Sequence, residues 1–132
     1  MEIHAFRLHP GQDLKKEIQA YILRNRIEAG WIMTCVGSLS GAHIRFANRG
    51  EGTLHEGPFE IVSLVGTVSV NGSHLHIAIS DGDGHTIGGH LLEGNLIYTT
   101  AEIVLGQSRA MAFHRAEDKD TGWRELNIVL RP

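Results

Sequence analysis

The chain has 132 residues, of which 42% are hydrophobic and 20% charged, and a formal net charge of −3 with histidine neutral. This length fits a single domain over residues 1–132, large enough to bury most of the apolar surface that the unfolded chain exposes. The charge balance lacks the excess of Lys and Arg that phosphate neutralisation requires of an obligate nucleic-acid binder. Nine histidines are the compositional outlier, and they make the net charge sensitive to mild acidification.

Cysteine usage and hydropathy indicate the compartment. Cys35 is the single cysteine, so no intrachain disulfide can form, and the surrounding run WIMTCVG is typical of a buried thiol. The opening MEIHAFRLHPG has no basic segment followed by an apolar one, so no signal peptide is expected. No apolar run approaches the ~18 residues of a membrane span. The sequence therefore predicts a cytoplasmic protein without a membrane partner.

The first elements are a strand and the one predicted helix. Alternation of apolar and polar residues predicts a strand over Ile3–Leu8, which His9-Pro10-Gly11 interrupts. Asp13 is placed to cap a helix that runs to about Glu28 and stops at Gly30. The apolar face of this helix comprises Leu14, Ile18, Tyr21, Ile22 and Ile27.

Glycine-punctuated, β-branched segments predict strands in the rest of the chain. Trp31–Val36 and Ala42–Ala47 are either two strands or one long strand bent between them. The further predictions are strands over Phe59–Val70 (bent or bulged at Gly66), His74–Ser80, Thr86–Leu92, Leu96–Thr100 and Glu102–Leu105, a turn at Asn71-Gly72 and a charged loop within Met111–Gly122. A last strand, Trp123–Leu130, is expected to close the sheet. One helix with seven to nine strands predicts an α+β fold, a mainly antiparallel sheet with the helix packed on it.

The segment Ser73–Leu92, SHLHIAISDGDGHTIGGHLL, places four histidines in one predicted hairpin. Alternate side chains of a strand share a face, so His74 and His76 lie on the same side, ~6.6–6.8 Å apart at Cα. That spacing lets both imidazoles converge on one metal ion, and neutral imidazole suits zinc and several other divalent ions. His85 falls at the hairpin tip, where solvent exposure is expected. The alternative is that all these histidines are surface residues of a solvent-facing sheet.

The hairpin register decides whether His90 becomes a third ligand. A two-residue turn at Asp83-Gly84 would place His90 on the wrong face of the sheet. A three-residue loop over residues 82–84, with Gly84 in the left-handed region, pairs His90 with His76. A bulge at Gly88-Gly89 would also correct the phase. Glycine is available for either device, so the sequence leaves both open.

Glu102, in TTAEIVL, lies between apolar neighbours at the start of a predicted strand. Its carboxylate is a candidate general base, or a candidate partner that orients a ligating histidine. The alternative is an exposed edge carboxylate. No G-x-S-x-G, phosphate-binding glycine loop or Cys-x-x-Cys motif is present, so no catalytic residue is assigned. The remaining histidines are expected to be structural or exposed, namely His4, His9, His43, His55 and His114.

The succession EIVSLVGTVSVNG, HLHIAISDGDGHTIGGHLLEG, YTTAEIVLG and TGWRELNIVL resembles the plants-and-prokaryotes conserved (PPC) domain. FRLHPGQDLKKEIQAYI and CVGSLSGAHIRFA also resemble this family, so the resemblance covers essentially the whole chain. It implies a homotrimer, in which the histidines of the prokaryotic-type pattern, here His74, His76 and His90, bind zinc or a related divalent metal. In plants the domain accompanies AT-hook DNA-binding motifs. The Arg-Gly-Arg-Pro core of that motif is absent here, so DNA remains a partner by family analogy alone.

Three functions are compatible with these patterns. A trimeric regulatory or DNA-associated module, ranked first, predicts a continuous basic face and binding that weakens steeply with salt. A metal-dependent enzyme of unknown reaction, ranked second, predicts an open coordination position, a pocket and a carboxylate such as Glu102 near bound water. A ligand-sensing or scaffold trimer predicts neither the features of the DNA-associated module nor those of the enzyme. The metal site is expected to face a cleft between subunits, and closed symmetry would cover otherwise open sheet edges.

Overall fold

Eight strands and one helix make up the protein, described by a computed structural model that covers residues 1–132. The elements are β1 (Glu2–Leu8), α1 (Leu14–Arg24), β2 (Gly30–Arg45), β3 (Thr53–Val68), β4 (His74–Ser80), β5 (Thr86–Leu91), β6 (Leu96–Gln107), β7 (Met111–Glu117) and β8 (Arg124–Leu130). Six strands form one sheet in the order β1-β6-β2-β3-β4-β5, and β7 and β8 form a second, two-stranded sheet. Every strand pairing is antiparallel. The predicted class of one helix on a mainly antiparallel sheet is confirmed.

The helix α1 begins where the sequence predicts. The carboxylate of Asp13 accepts a hydrogen bond from the backbone N–H of Lys16 at 3.2 Å, which satisfies one of the free donors of the first turn. Leu14, Ile18 and Ile22 are buried against the sheet at the spacing of one helical face. At 11 residues, this helix falls short of the length and apolarity needed to cross a membrane.

The end of α1 differs from the prediction. The helix ends at Arg24 rather than near Glu28, and the next residue but one, Arg26, adopts a left-handed φ of 51°. Gly30 is not the stop signal but the first residue of β2. The prediction followed Ile27, which is fully buried but lies in the connection after the helix. Burial of a loop residue extended the apparent periodicity beyond the last turn.

β2 is one continuous strand, which settles the alternative between two strands and one. Its register against β3 shifts between Leu39 and Gly41, where a bulge bends the strand. Beyond the bend its last residues, Ile44 and Arg45, pair with Leu91 and His90 of β5. Since β5 also pairs with β4, strands β2 to β5 curl into a partly closed barrel.

Two other strands are longer than predicted. β3 begins at Thr53 instead of Phe59, because the extended end of β2 offers the polar segment a pairing partner. The two predicted strands around Ala101 are a single strand, β6, in which Ala101 lies between Leu8 of β1 and Gly37 of β2. Gly66 does not interrupt the ladder with β4, whose register shifts instead between Ile61 and Ser63.

The C-terminal segment does not close the main sheet as predicted. β7 occupies much of the expected charged loop, and β8 pairs with β7 alone, forming a hairpin that we call the C-terminal arm (Met111–Leu130). The arm is anchored near the β3–β4 turn, where Ser69 Oγ and Asn71 Nδ2 each donate a hydrogen bond to the carbonyl of Phe113 at 2.9 Å. A pattern of alternation predicts a strand but not the strand with which it pairs.

The two faces of the main sheet differ in their surroundings. One face packs against α1 in a single apolar core that includes Ile77 and Ile103. Residues directly opposite in an antiparallel pair share a face, so Val65, which pairs with His76, lies on the other side of the sheet. Val36 and Val65 are 54% and 56% exposed on that side. We call it the open face.

Candidate metal centre

The hairpin of β4 and β5 has the three-residue loop, one of the two registers that would align the histidines. The N–H of Asp81 donates to the carbonyl of His85 at 2.9 Å, and Gly84 has a φ of 81°. The β4–β5 ladder runs without a bulge from Ser80 to His76, which pairs with His90. His76 and His90 are therefore directly opposite on one face of the sheet.

Three histidines converge at the end of this hairpin. One ring nitrogen from each of His74, His76 and His90 lies within 4.8 Å of the others. The Nε2 atoms of His74 and His76 are 3.2 Å apart. Tetrahedral zinc with Zn–N bonds of ~2.0–2.1 Å requires nitrogens roughly 3.3 Å apart. The first pair is thus already at ligand spacing, and the third ring lies within 5.2 and 5.7 Å of the other two, measured between ring centroids.

Glycines next to His90 allow three strands to meet at this point. A Cβ at Gly89 would lie 2.6 Å from the backbone oxygen of Arg45 on β2. A Cβ at Gly88 would lie 2.7 Å from the backbone oxygen of Ile77 on β4. Any side chain at either position would push β5 away from a neighbour. The pair Gly88-Gly89 therefore acts by permitting close approach, rather than by forming the bulge considered from the sequence.

The surroundings of the cluster favour neutral imidazoles. Burial, followed by the charge of Arg45 and the neighbouring His74, lowers the pKa of His90 to about 4. Burial also lowers the pKa of His74, with smaller contributions from His76 and Arg115. Neutral imidazole is the form that ligates a metal ion, so a cation does not have to displace protons from these two rings at neutral pH.

Two clefts flank the histidines. One of about 750 Å³ lies along β2 and β5 and includes Arg45, Arg49 and Trp123 in its lining. The other, of about 580 Å³, lies on the side of the C-terminal arm and adds Arg115, Arg124 and Glu125. The guanidinium of Arg45 stands 5.6 Å from the ring centroid of Trp123. These neighbours were not predicted, because no local pattern shows that Arg45 pairs with His90 or that the arm reaches the cluster.

The other candidate residues lie away from the centre. Glu102 is exposed on β6, where it pairs with Arg7 and Val36. Glu102 pairs with Val36 of β2, nine residues before Arg45, which is the residue of that strand that pairs with His90. The chain therefore does not bring Glu102 to its own histidines. Glu125 is the carboxylate that shares a cleft with His74. The side chain of His85 is 82% exposed at the hairpin tip, as expected.

The remaining histidines and Cys35 have structural or surface positions. His4 hydrogen-bonds to the Tyr21 hydroxyl at 3.1 Å and to Gln107 Oε1 at 2.9 Å. His43 Nδ1 lies 2.7 Å from the carbonyl of Glu93, to which it donates. His9 and His114 are exposed. Cys35 is buried, which raises the pKa of its thiol to about 12 and leaves it unreactive at neutral pH.

A family model and curated proteins match this chain over most of its length. The model of the Plants and Prokaryotes Conserved (PCC) domain matches residues 1–109. The bifunctional protein GlmU of Synechococcus sp. (strain JA-3-3Ab) is 44% identical over 128 residues, which are 97% of this chain and 21% of that protein. The chain therefore spans about a fifth of the length of that curated relative. The AT-hook motif nuclear-localized protein 8 of Arabidopsis thaliana is 31% identical over 123 residues, 83% of this chain and 30% of that protein.

Solved structures show the same fold. A hypothetical protein from Salmonella cholerae-suis superposes with a TM-score of 0.97 at 38% identity, over 99% of this chain and 95% of that one. A metal-containing protein from Archaeoglobus fulgidus superposes with a TM-score of 0.80 at 29% identity, over 96% and 94% of the two chains. The residues matched by the family model, 1–109, include the three histidines. The C-terminal arm lies beyond them.

Proposed function

Because this chain belongs to the Plants and Prokaryotes Conserved domain family, whose model matches residues 1–109, we propose that it is a metal-binding module of that family. His74, His76 and His90 would hold one divalent ion, and zinc suits three neutral imidazoles best. The observation that carries this proposal is the convergence of the three ring nitrogens within 4.8 Å. The metal-containing relative from Archaeoglobus fulgidus supports it. Such an ion would supply a Lewis-acid centre with one coordination position left to a ligand or water.

Elemental analysis of protein purified without a histidine tag tests this assignment. We expect about one divalent ion per chain in the wild type, and its loss in His76→Ala. His114→Ala is the matched control, because His114 is an exposed histidine of β7 and belongs to no group of potential metal ligands. It should retain the wild-type content. Equal metal content in His76→Ala and the wild type would remove this site from consideration.

We further propose that the module assembles as a homotrimer through the open face. Val36, Val62 and Val65 are each more than half exposed there, at 54%, 58% and 56%. Contiguous apolar exposure of this kind marks an interaction surface. His76 shares the open face with Val65, so subunits packed on this face would place the metal centre beside a subunit cleft. Closed threefold symmetry would give three equivalent centres.

The mass of the assembly in solution tests the trimer. Light scattering coupled to size exclusion should give three times the chain mass for the wild type. Val36→Glu places a charge on the open face and should dissociate the assembly. Leu23→Glu is the control, since Leu23 is a comparably exposed residue of α1, at 55%, and should leave the mass unchanged. A monomeric wild type would refute the proposal.

A DNA-associated role is the second candidate function. Arg45, Arg49, Arg115 and Arg124 line the two clefts around the histidines, and the Arabidopsis relative is an AT-hook motif protein. We would test this role by titrating an AT-rich duplex at low salt, with and without added zinc. Binding that weakens steeply with salt would support it. Absence of binding at low salt, both with and without zinc, would refute the DNA-associated role for this domain.

A further inference from the structure

Arg45 presents an unpaired guanidinium beside the metal centre. It pairs directly with His90 across β2 and β5, so both side chains emerge on the same side of the sheet. It takes part in none of the four ion pairs of the chain. Its neighbour is instead the ring of Trp123, at 5.6 Å. A half-buried guanidinium held against an aromatic ring and lacking a carboxylate partner is available to an anion.

The other charged groups around the cluster reinforce this local excess. Arg115 donates to Thr67 Oγ1 at 2.9 Å, which holds its guanidinium at the edge of the arm-side cleft. Arg124 lines the same cleft, and Glu125 is the single carboxylate in the lining of that cleft. The whole chain carries a net charge of −3, so the positive character of this region runs against the overall balance. Clefts that concentrate one sign of charge attract ligands of the opposite sign.

We propose that this region binds a small carboxylate ligand between the metal ion and Arg45. This inference rests on the proposed function, because one carboxylate oxygen would take the coordination position that three histidines leave free. The other oxygen would accept hydrogen bonds from Arg45, whose planar donors match a carboxylate. The ring of Trp123 offers an apolar surface to the carbon skeleton of the ligand. A cleft of about 750 Å³ is large enough for a small molecule.

The two clefts lack one feature that is common in phosphate sites. Phosphate sites commonly use backbone N–H groups at a helix N-terminus. The only helix of this chain, α1, contributes no residue to either cleft. The C-terminal arm supplies Trp123 and Arg115, and it lies outside the residues matched by the family model. Selectivity between carboxylates would therefore depend on this arm.

The experiment uses the full chain loaded with Co²⁺, whose visible absorption changes when a ligand enters its coordination sphere. Acetate, lactate and malonate are titrated as carboxylate probes, and inorganic phosphate as the competing anion. We expect a saturable spectral change with at least one carboxylate. R45Q removes charge-assisted hydrogen bonds and should weaken that binding about ten- to a hundredfold. R45K keeps the charge without the planar donors of arginine, so its carboxylate affinity should lie between those of the wild type and R45Q.

A control variant and the possible results distinguish carboxylate binding from the metal binding on which it rests. R7Q removes the same charge from β1, at the opposite edge of the sheet, and should leave affinity within about twofold. If Co²⁺ binds but no carboxylate changes its spectrum, the ligand inference fails and the metal site stands. Tighter binding of phosphate than of every carboxylate overturns the ligand class. Wild-type affinity in a Co²⁺-loaded R45Q overturns the role of Arg45. Failure of the wild type to bind Co²⁺ overturns both proposals.

Discussion

Replacing Gly89 with alanine tests how the fold brings together the three candidate ligands, His74, His76 and His90. Gly89 precedes His90 on β5, between Ile77 of β4 and the end of β2. The substitution changes no ligand and no charge. We expect it to weaken both the stability of the metal-free protein and its affinity for zinc, because the strand that carries His90 can no longer approach β2.

The size of the effect follows from two contacts. The added Cβ would lie 2.6 Å from the backbone oxygen of Arg45 and 2.8 Å from Cγ2 of Ile44, whereas ordinary contacts begin at 3.4 Å. A backbone oxygen cannot rotate aside, so the strands must separate by roughly 0.8 Å, and overpacking of this kind costs about 1–3 kcal/mol. Alanine also lowers the entropy of the unfolded chain, which returns about 0.4–1 kcal/mol. We expect a net loss of about 1–2 kcal/mol in the free energy of unfolding.

Urea denaturation of the metal-free variants at one fixed protein concentration measures this loss, and competition with a chromophoric chelator measures zinc affinity. Gly82→Ala is the control on the same hairpin, because a Cβ there meets nothing within 4 Å. It should leave zinc affinity unchanged and raise the free energy of unfolding by at most about 1 kcal/mol, because it gains the unfolded-state contribution without the clash. The reasoning is refuted if Gly89→Ala matches Gly82→Ala in both measurements.

Four further predictions concern other parts of the chain. Chelator-treated protein should lose stability as pH falls from about 6.5 toward about 4. The pKa of His90 is lowered to about 4 only in the folded state, so over this range the unfolded chain binds a proton that the folded chain does not. Urea midpoints measured as a function of pH should fall less steeply in His90→Gln than in the wild type. Glu102→Gln should keep wild-type metal content by elemental analysis, since Glu102 pairs with β2 nine residues away from the position that pairs with His90. Metal loss would indicate that Glu102 acts on the centre across the assembly. Cys35 should resist a thiol reagent in native buffer and react in urea, because it is buried; rapid native labelling would contradict this. Asn95→Ala should cost about 2–3 kcal/mol in urea denaturation, since the buried Asn95 bonds to both backbone groups of His43 and to the carbonyl of Leu92; a cost below about 0.5 kcal/mol would refute it.

Local chemistry in the sequence was enough to predict the fold class, the start of α1 and the candidate ligands. Asp13 caps a helix through its own carboxylate, and the apolar periodicity after it depends only on neighbouring residues. The spacing of His74 and His76 follows from the pleat of a single strand. Local rules also limited the position of His90 to a short choice of registers, one of which the hairpin adopts.

Tertiary structure decided what surrounds the candidate ligands. The pairing of Arg45 with His90 depends on the bend of β2 and on the close approach allowed at Gly89, which join residues far apart in the sequence. The position of Trp123 depends on the C-terminal arm folding away from the main sheet. A strand's periodicity shows which side chains share a face but not which strand lies beside it, because pairing depends on packing over the whole chain. The sequence therefore predicted the three histidines as candidate ligands, whereas it did not predict the arginine and tryptophan beside them.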